Sequence, residues 1–212
     1  MSEQPNAEHA DQILTNVYSA RLPTIYGEFR MTVYQDDESK EHVCMCLGEA
    51  PGAPLLVRIH SECLTGDVFG SIRCDCRDQL LFAFESIAKE GRGILVYLRQ
   101  EGRGIGLTNK VQAYALQDAG LDTVDANLHL GLPVDDRNYS MAAAILEDQG
   151  VKQVRLLTNN PLKVLGLEAG KIEVVERVPH EIEPRPENQQ YLKTKADKLG
   201  HLFGGSAAGL NQ

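Results

Sequence analysis

Between Val17 and His60 apolar and polar positions alternate in runs rich in β-branched and aromatic residues: VYSARL, GEFRMTVY, HVCMCL and PLLVRIH. Turn signals at Pro23, Asp36-Asp37 and Pro51-Gly52 separate the runs, so this half reads as antiparallel strands. From Asp78 the period lengthens. Leu80, Leu81, Phe84, Ile87 and Ala88 fall on one face of a helix, which Gly91 and Gly93 end before the strand GILVYLR. A second helix, from about Ile105 to Ala119, is expected to turn Val111, Tyr114 and Ala115 to one side and to stop at Gly120. The stretch from Leu121 to Asn138 has no sustained period and is rich in Asp, Asn and Gly, which predicts a long loop of the kind that carries function in compact chains. A helix from Tyr139 to Gln149 follows, with Ala142, Ile145 and Leu146 inward. Then come the strand VRLLT, a turn at Asn159-Asn160-Pro161, a helix, the strand IEVVERV and a last helix around Gln189 to Leu202.

The fold class expected from this pattern is α/β of mixed α+β character, with N-terminal antiparallel strands followed by alternating strands and helices. One compact domain is expected over residues 16–203, between polar tails at 1–15 and 204–212. Length adds that 212 residues with 42% hydrophobic content can bury a sizeable core.

Charge narrows the partners. Lys+Arg 21 against Asp+Glu 30 leaves a formal balance of −9, which repels a phosphate backbone and argues against nucleic acid. No stretch has the length of a membrane span, and the start MSEQPNAEHADQ has neither a basic nor an apolar leader region, so a cytoplasmic protein is expected. Five cysteines is an odd number, and two of the spacings are too tight for internal pairing, so metal or catalytic use outranks a disulfide framework.

Cys63, Cys74 and Cys76 form a C-x10-C-x-C array between a strand and the start of the first helix. Three thiolates suit zinc, one per chain, and a missing fourth protein ligand marks a catalytic site that keeps a position for water. Arg73 and Arg77 and the helix N-terminus are placed to favour thiolate over thiol. The plainer alternative is three small core residues. A rival ligand set is Cys44, Cys46, Cys74 and Cys76, a structural knuckle in a non-catalytic zinc module. Against it, Val43, Met45 and Leu47 alternate with the first two cysteines, as in a strand packed on both faces.

Two strand-to-helix turns carry anion-binding chemistry. Arg99 to Gly106 is Gly-rich and holds Arg103, and Thr158-Asn159-Asn160-Pro161-Leu162-Lys163 repeats the logic with a hydroxyl and a lysine. Glycines let backbone N–H groups approach an anion and the cations neutralise it, so the pair implies a polyphosphate ligand. Asp135-Asp136-Arg137 lies just before a helix and reads either as an N-cap or as a carboxylate base beside a cation.

Taken in order, RIHSECLTGDVFGS-x-RCDC, RQEGRGIGL, AYALQD, DDRNY and LLTNNPLKV resemble GTP cyclohydrolase II, from about Arg21 to Leu202. The resemblance implies conversion of GTP and water, as the first step of riboflavin synthesis, to 2,5-diamino-6-(5-phosphoribosylamino)pyrimidin-4-one, formate and pyrophosphate, by a homodimer that uses Zn2+ and Mg2+. Position by position, it makes Cys63, Cys74 and Cys76 the zinc ligands. It makes Arg58, Ile59, His60, Ser61, Glu62, Gln79, Glu101, Gly102, Arg103, Thr123, Thr158 and Lys163 the GTP contacts.

In the same pattern Tyr114 lies close to the reacting ring, Asp135 is the proton acceptor and Arg137 the nucleophile at the α-phosphorus. A guanidinium stays protonated, however, so stabilising transition-state charge is its more natural task. Gln79 and Glu101 are the candidates for reading guanine, and Glu62 or Tyr114 for moving protons. Two departures stand out: Arg77-Asp78, where many members have glycine and a small or polar residue, and Gly104, where some have asparagine. The chain has no room for the dihydroxybutanone phosphate synthase domain fused to many relatives, so it is expected to be monofunctional. A variant reaction stopping at the formylated pyrimidine is the alternative within the family, and Tyr114 argues for the complete one.

Overall fold

The computed structural model describes residues 15–50, 52, 54–180, 182 and 185–189. Of the expected tails, residues 1–14 and 204–212 lie outside the described residues, as does most of the helix expected from Gln189 to Leu202, while Thr15 already belongs to the first strand. Seven strands form one sheet in the order β1-β2-β3-β5-β4-β6-β7. The strands β1 (Thr15–Thr24), β2 (Gly27–Gln35) and β3 (Glu41–Leu47) make the antiparallel ribbon that the alternating runs predict.

The fourth run departs from that expectation. β4 (Leu55–Ser61) leaves the ribbon and pairs in parallel with β5 (Gly93–Leu98) and β6 (Gln153–Leu157), while β3 pairs antiparallel with β5. β7 (Glu173–Val178) closes that edge in parallel. Pro23 is not the first turn either. It lies inside β1, an edge strand, where a residue without an N–H is tolerated, and the chain reverses at Ile25 and Tyr26.

Each face of the sheet buries its own side of the alternation. Cys44 and Cys46 of β3 and Ile94, Val96 and Leu98 of β5 pack with α5 (Ser140–Asp148) through Met141, Ala142, Ile145 and Leu146, and with Leu167 of α6 (Pro161–Ala169). On the other face Met45, Leu56, Leu95 and Leu157 meet Ala83 and Ile87 of α2 (Cys76–Glu90). Burying a side chain of the size of Ile or Leu contributes about 1.5–3 kcal/mol, so both layers are needed to hold a sheet this wide. With β5 on one side of β4 and β6 on the other, the chain reverses its winding at β4. The C-terminal ends of β4, β5, β6 and β7 therefore open on one crevice.

Two helical expectations change. The helix α3 (Gly106–Asp118) buries Lys110 and Ala113, whereas Val111 is 52% exposed and Ala115 is exposed as well. The face turned to the protein is thus the one with the charge. The stretch expected as loop from Leu121 contains α4 (Thr123–His129), started by Asp122, whose carboxylate accepts the N–H groups of Val124 and Asp125. Among the described residues no helix is long and apolar enough to cross a membrane.

Candidate active site

β4 runs out at Ser61, and the short helix α1 (Leu64–Asp67) then turns the chain so that Cys63 faces Cys74 and Cys76 at the entrance to α2. The three sulfurs lie within 4.8 Å of one another. Gly66 is what lets them meet, because a Cβ there would stand 2.9 Å from Cys74 Sγ and 3.3 Å from Cys63 Sγ. Three converging sulfurs around a space that a single methyl group would fill suit a thiophilic ion such as zinc. Among the described residues no other group of three His, Cys, Asp or Glu side chains converges in this way. Cys44 and Cys46 are buried in the α5 side of the core, so the rival knuckle is not assembled.

As thiols, the three cysteines concentrate one negative charge. Hydrogen bonds from Cys74 and Cys76 pull Cys63 far below the thiol range, and Lys110 adds to the effect against the cost of burial. Cys74, bonded to that thiolate, is pushed up to about 11. The cation touching the cluster is Lys110, whose Nζ donates to Cys63 Sγ at 3.1 Å and to Glu101 Oε1 at 2.7 Å. The expected neighbours serve elsewhere. Arg73 pairs with Asp118 at 2.6 Å and lies over the Tyr114 ring at 4.9 Å, and Arg77 donates to the Asp67 carbonyl.

The Gly-rich turn after β5 winds left-handed through Gly102 (φ 64°) and Arg103 (φ 63°), with Gly104 at φ 94°. Two glycines around one strained arginine give a turn that backbone sterics would otherwise forbid. Glu101 braces it by accepting the N–H groups of Gly102 at 2.7 Å and Leu64 at 2.6 Å. Across the crevice Arg58 is buried. It donates to the Leu157 carbonyl, to Gln79 Oε1 at 2.7 Å and to His180 Nδ1 at 2.6 Å, and burial draws its pKa down to about 10, still protonated near neutrality. Gln79 spends its amide on Asp75 at 2.6 Å. At the second turn Asn160 caps α6, and Lys163 donates to the Ile59 carbonyl at 2.7 Å.

These parts line one open cleft of about 1050 Å³, counting its mouth. Of the residues singled out in the sequence, Arg58, His60, Ser61, Glu62, Cys63, Cys74, Cys76, Gln79, Glu101, Gly102, Arg103, Tyr114, Arg137, Thr158 and Lys163 face it. Three are placed differently. The Ile59 side chain is core, and Thr123 opens α4. Asp135 holds Arg137 through Nε at 2.8 Å, through Nη2 and through the backbone N–H at 3.1 Å. Burial alone would raise Asp135, but those bonds and the guanidinium charge outweigh it and hold the carboxyl below its usual range.

Among the cleft residues that sequence reasoning did not single out are the cation Lys110 and the imidazole of His180. Lys110 shares a helix face with Tyr114, four residues on, which was a usable signal. His180 follows the end of a parallel strand, where the topology places ligands. The arrangement sets the cations Arg58, Arg103, Arg137 and Lys163 against a thiolate cluster. Such a cleft can take an anionic group and a metal ion together.

Residues 15–179 match the family model described as GTP cyclohydrolase II. A GTP cyclohydrolase-2 of Neisseria meningitidis serogroup C is 54% identical over 193 residues, 91% of this chain and 98% of that protein. The riboflavin biosynthesis protein RibBA of Salinispora tropica is 56% identical over 191 residues, 89% of this chain and 48% of the relative. RibBA of Bacillus mycoides is 53% identical over 197 residues, covering 92% and 50% respectively. The chain thus spans about half the length of the RibBA relatives it matches.

Proposed function

The chain belongs to the GTP cyclohydrolase II family, and on that premise we propose that it hydrolyses GTP to 2,5-diamino-6-(5-phosphoribosylamino)pyrimidin-4-one, formate and pyrophosphate. In this reading it does so in the cytoplasm as a homodimer, with one zinc held by Cys63, Cys74 and Cys76. The observation that carries the reading is that the thiolate cluster and both anion-binding turns line the same cleft. When bound, zinc supplies a water acidic enough to attack carbon near neutral pH, and magnesium supplies charge along the triphosphate.

The chain's own residues do the rest. Arg58, Arg103, Arg137 and Lys163 bind the triphosphate, and Arg137, kept in place by Asp135, meets the charge that develops as pyrophosphate leaves. Tyr114 lies at the cleft wall with its phenol kept protonated chiefly by burial, so it can donate a proton to the opening ring. Glu62, held by Arg99 at 2.8 Å, faces the same space. Gln79 and Glu101, braced by the bonds described above, both face the cleft and are the candidates for reading guanine. The exposed apolar side chains of Val68, Phe69 and Ile72, between the metal ligands in sequence, suit coverage by a second copy.

The test is purified protein, loaded with zinc and magnesium, given GTP. Formate and pyrophosphate in equal amounts are expected. Pyrophosphate without formate would instead support the reaction that stops at the formylated pyrimidine, and neither product would sink the reading.

A further inference from the structure

One buried carboxylate ties the metal cluster to the imidazole of His60, which the family resemblance counts among the GTP contacts without giving it a part in proton transfer. Asp67, at the end of α1, has a side chain only 4% exposed. Its Oδ2 accepts the backbone N–H of Cys63 at 3.0 Å and the Tyr97 hydroxyl at 2.8 Å. Both its oxygens lie within 3.1 Å of His60 Nε2. A carboxylate only accepts, so the proton between Asp67 and His60 belongs to Nε2 and the lone pair of the ring to Nδ1.

That second nitrogen is buried and has no hydrogen-bond partner among the described residues, although the ring lines the cleft. The Tyr97 ring, stacked at 5.4 Å and 21°, fixes the imidazole plane. Burial, opposed by Asp67 and aided by Arg58 and Lys163, keeps the imidazole neutral and its lone pair available. An acceptor buried without a partner costs roughly 1–3 kcal/mol, which a folded chain tolerates where a ligand supplies the missing donor.

We propose that His60 is a proton acceptor in this cleft and that Asp67 positions it by holding it as the Nε2–H tautomer. The inference rests on the reaction assigned above. Water gives one proton to His60 Nδ1 as its oxygen bonds to C8 of the purine and the C8=N7 π pair moves onto N7. The imidazolium, steadied by Asp67, returns that proton to N7; the hydroxyl left on C8 then gives up its proton to N9 as the C8–N9 bond breaks and the formyl C=O forms, so His60 ends neutral. The shared carboxylate also sets His60 beside Cys63, on the metal side of the cleft.

The experiment is long-range proton–nitrogen NMR on zinc-loaded protein with ¹⁵N-labelled histidine, run with product analysis. The wild type should show His60 with its proton on Nε2. Asp67→Asn presents an amide N–H to the ring and should move the proton to Nδ1. Formate release should then fall by about 10²–10⁴-fold at unchanged zinc content, while KM for GTP changes little. A wild-type proton on Nδ1 would overturn the proposal, and so would a flipped tautomer with formate release within about threefold of wild type. If Asp67→Asn sheds its metal, His60→Asn decides: the same fall is expected, and wild-type turnover refutes the acceptor role. A wild type that produces neither formate nor pyrophosphate refutes the assigned reaction and the acceptor role with it, and the tautomer spectrum then tells whether the positioning by Asp67 survives.

Discussion

Lys110 Nζ stands 3.1 Å from Cys63 Sγ and 2.7 Å from Glu101 Oε1, so one buried ammonium joins the thiolate cluster to the Gly-rich turn. Glu101 carries the link further by taking the N–H groups of Gly102 and Leu64. The residues that would hold metal and those that would hold phosphate are thereby one connected unit. A shift at either end reaches the other through charge-assisted hydrogen bonds, which are the stronger kind.

Replacing Lys110 by Met should expose that dependence. Two buried negative groups lose their cation, and breaking a buried pair from one side costs about 3–5 kcal/mol. Glu101 keeps its two backbone donors, so the lower end of that range is expected. A divalent cation among the sulfurs would replace part of the lost charge. Urea unfolding should therefore show a deficit of about 3 kcal/mol that shrinks when zinc is added. The same deficit with and without zinc would mean that Lys110 matters for packing and not as a counter-charge.

Metal counting separates the two C-x-C pairs. Cys74→Ala should lose stoichiometric zinc, whereas Cys44→Ala and Cys46→Ala should keep one per chain. The latter sit in the core, where losing one heavy atom costs about 0.5–1.5 kcal/mol, so they should unfold slightly earlier and stay loaded. Elemental analysis after gel filtration gives the answer. Metal lost from Cys44→Ala would return β3 to the ligand set.

The sequence carried the strands because β-branched runs and turn residues are local signals, but strand pairing is not local. Nothing in PLLVRIH says that β4 will lie between β5 and β6. The inward face of α3 was misread for a functional reason: Val111 and Ala115 look like core residues, yet the helix turns Lys110 and Ala113 inward. α4 is seven residues long, too short to display a period, and its Asp122 cap was the only cue. The three-cysteine cluster was legible because spacing and chemistry coincide in C-x10-C-x-C. Asp67, Lys110 and His180 were not, since each acquires its role from neighbours distant in sequence.

Acid should separate Asp135 from its amide. The carboxyl is held below its unfolded value of about 3.9 by the Arg137 bonds, so its contribution is present above that pH and lost as pH falls through the folded value. Asp135→Asn lacks the charge at every pH. The variant should be less stable by about 2 kcal/mol from pH 5 to 7, the size of a charge-assisted hydrogen bond, and the gap to wild type should close below about pH 4. Chemical unfolding across that range measures it. A gap that persists to pH 2 would assign the loss to packing.

Gly66 gives the sharpest test of what the cysteine cluster is for, because two effects of one methyl group run in opposite directions. Within α1 an alanine is favoured over glycine by about 1 kcal/mol, since it loses less backbone freedom on folding. The same Cβ would stand 2.9 Å from Cys74 Sγ, 3.2 Å from Cys76 Cβ and 3.3 Å from Cys63 Sγ, closer than packed atoms sit. If the sulfurs were only core residues, Gly66→Ala would force a local shift, and the metal content would have nothing to report. If they are ligands, the shift breaks a geometry that zinc tolerates only within about 0.2 Å. The variant should then fold with a melting temperature in chelator within a few degrees of wild type, lose most of its zinc in competition with a chromophoric chelator, and release little formate from GTP. A Gly66→Ala protein that binds zinc as tightly as wild type would show that the methyl group and the metal do not compete for the same space, and the three-sulfur site would have to be redrawn.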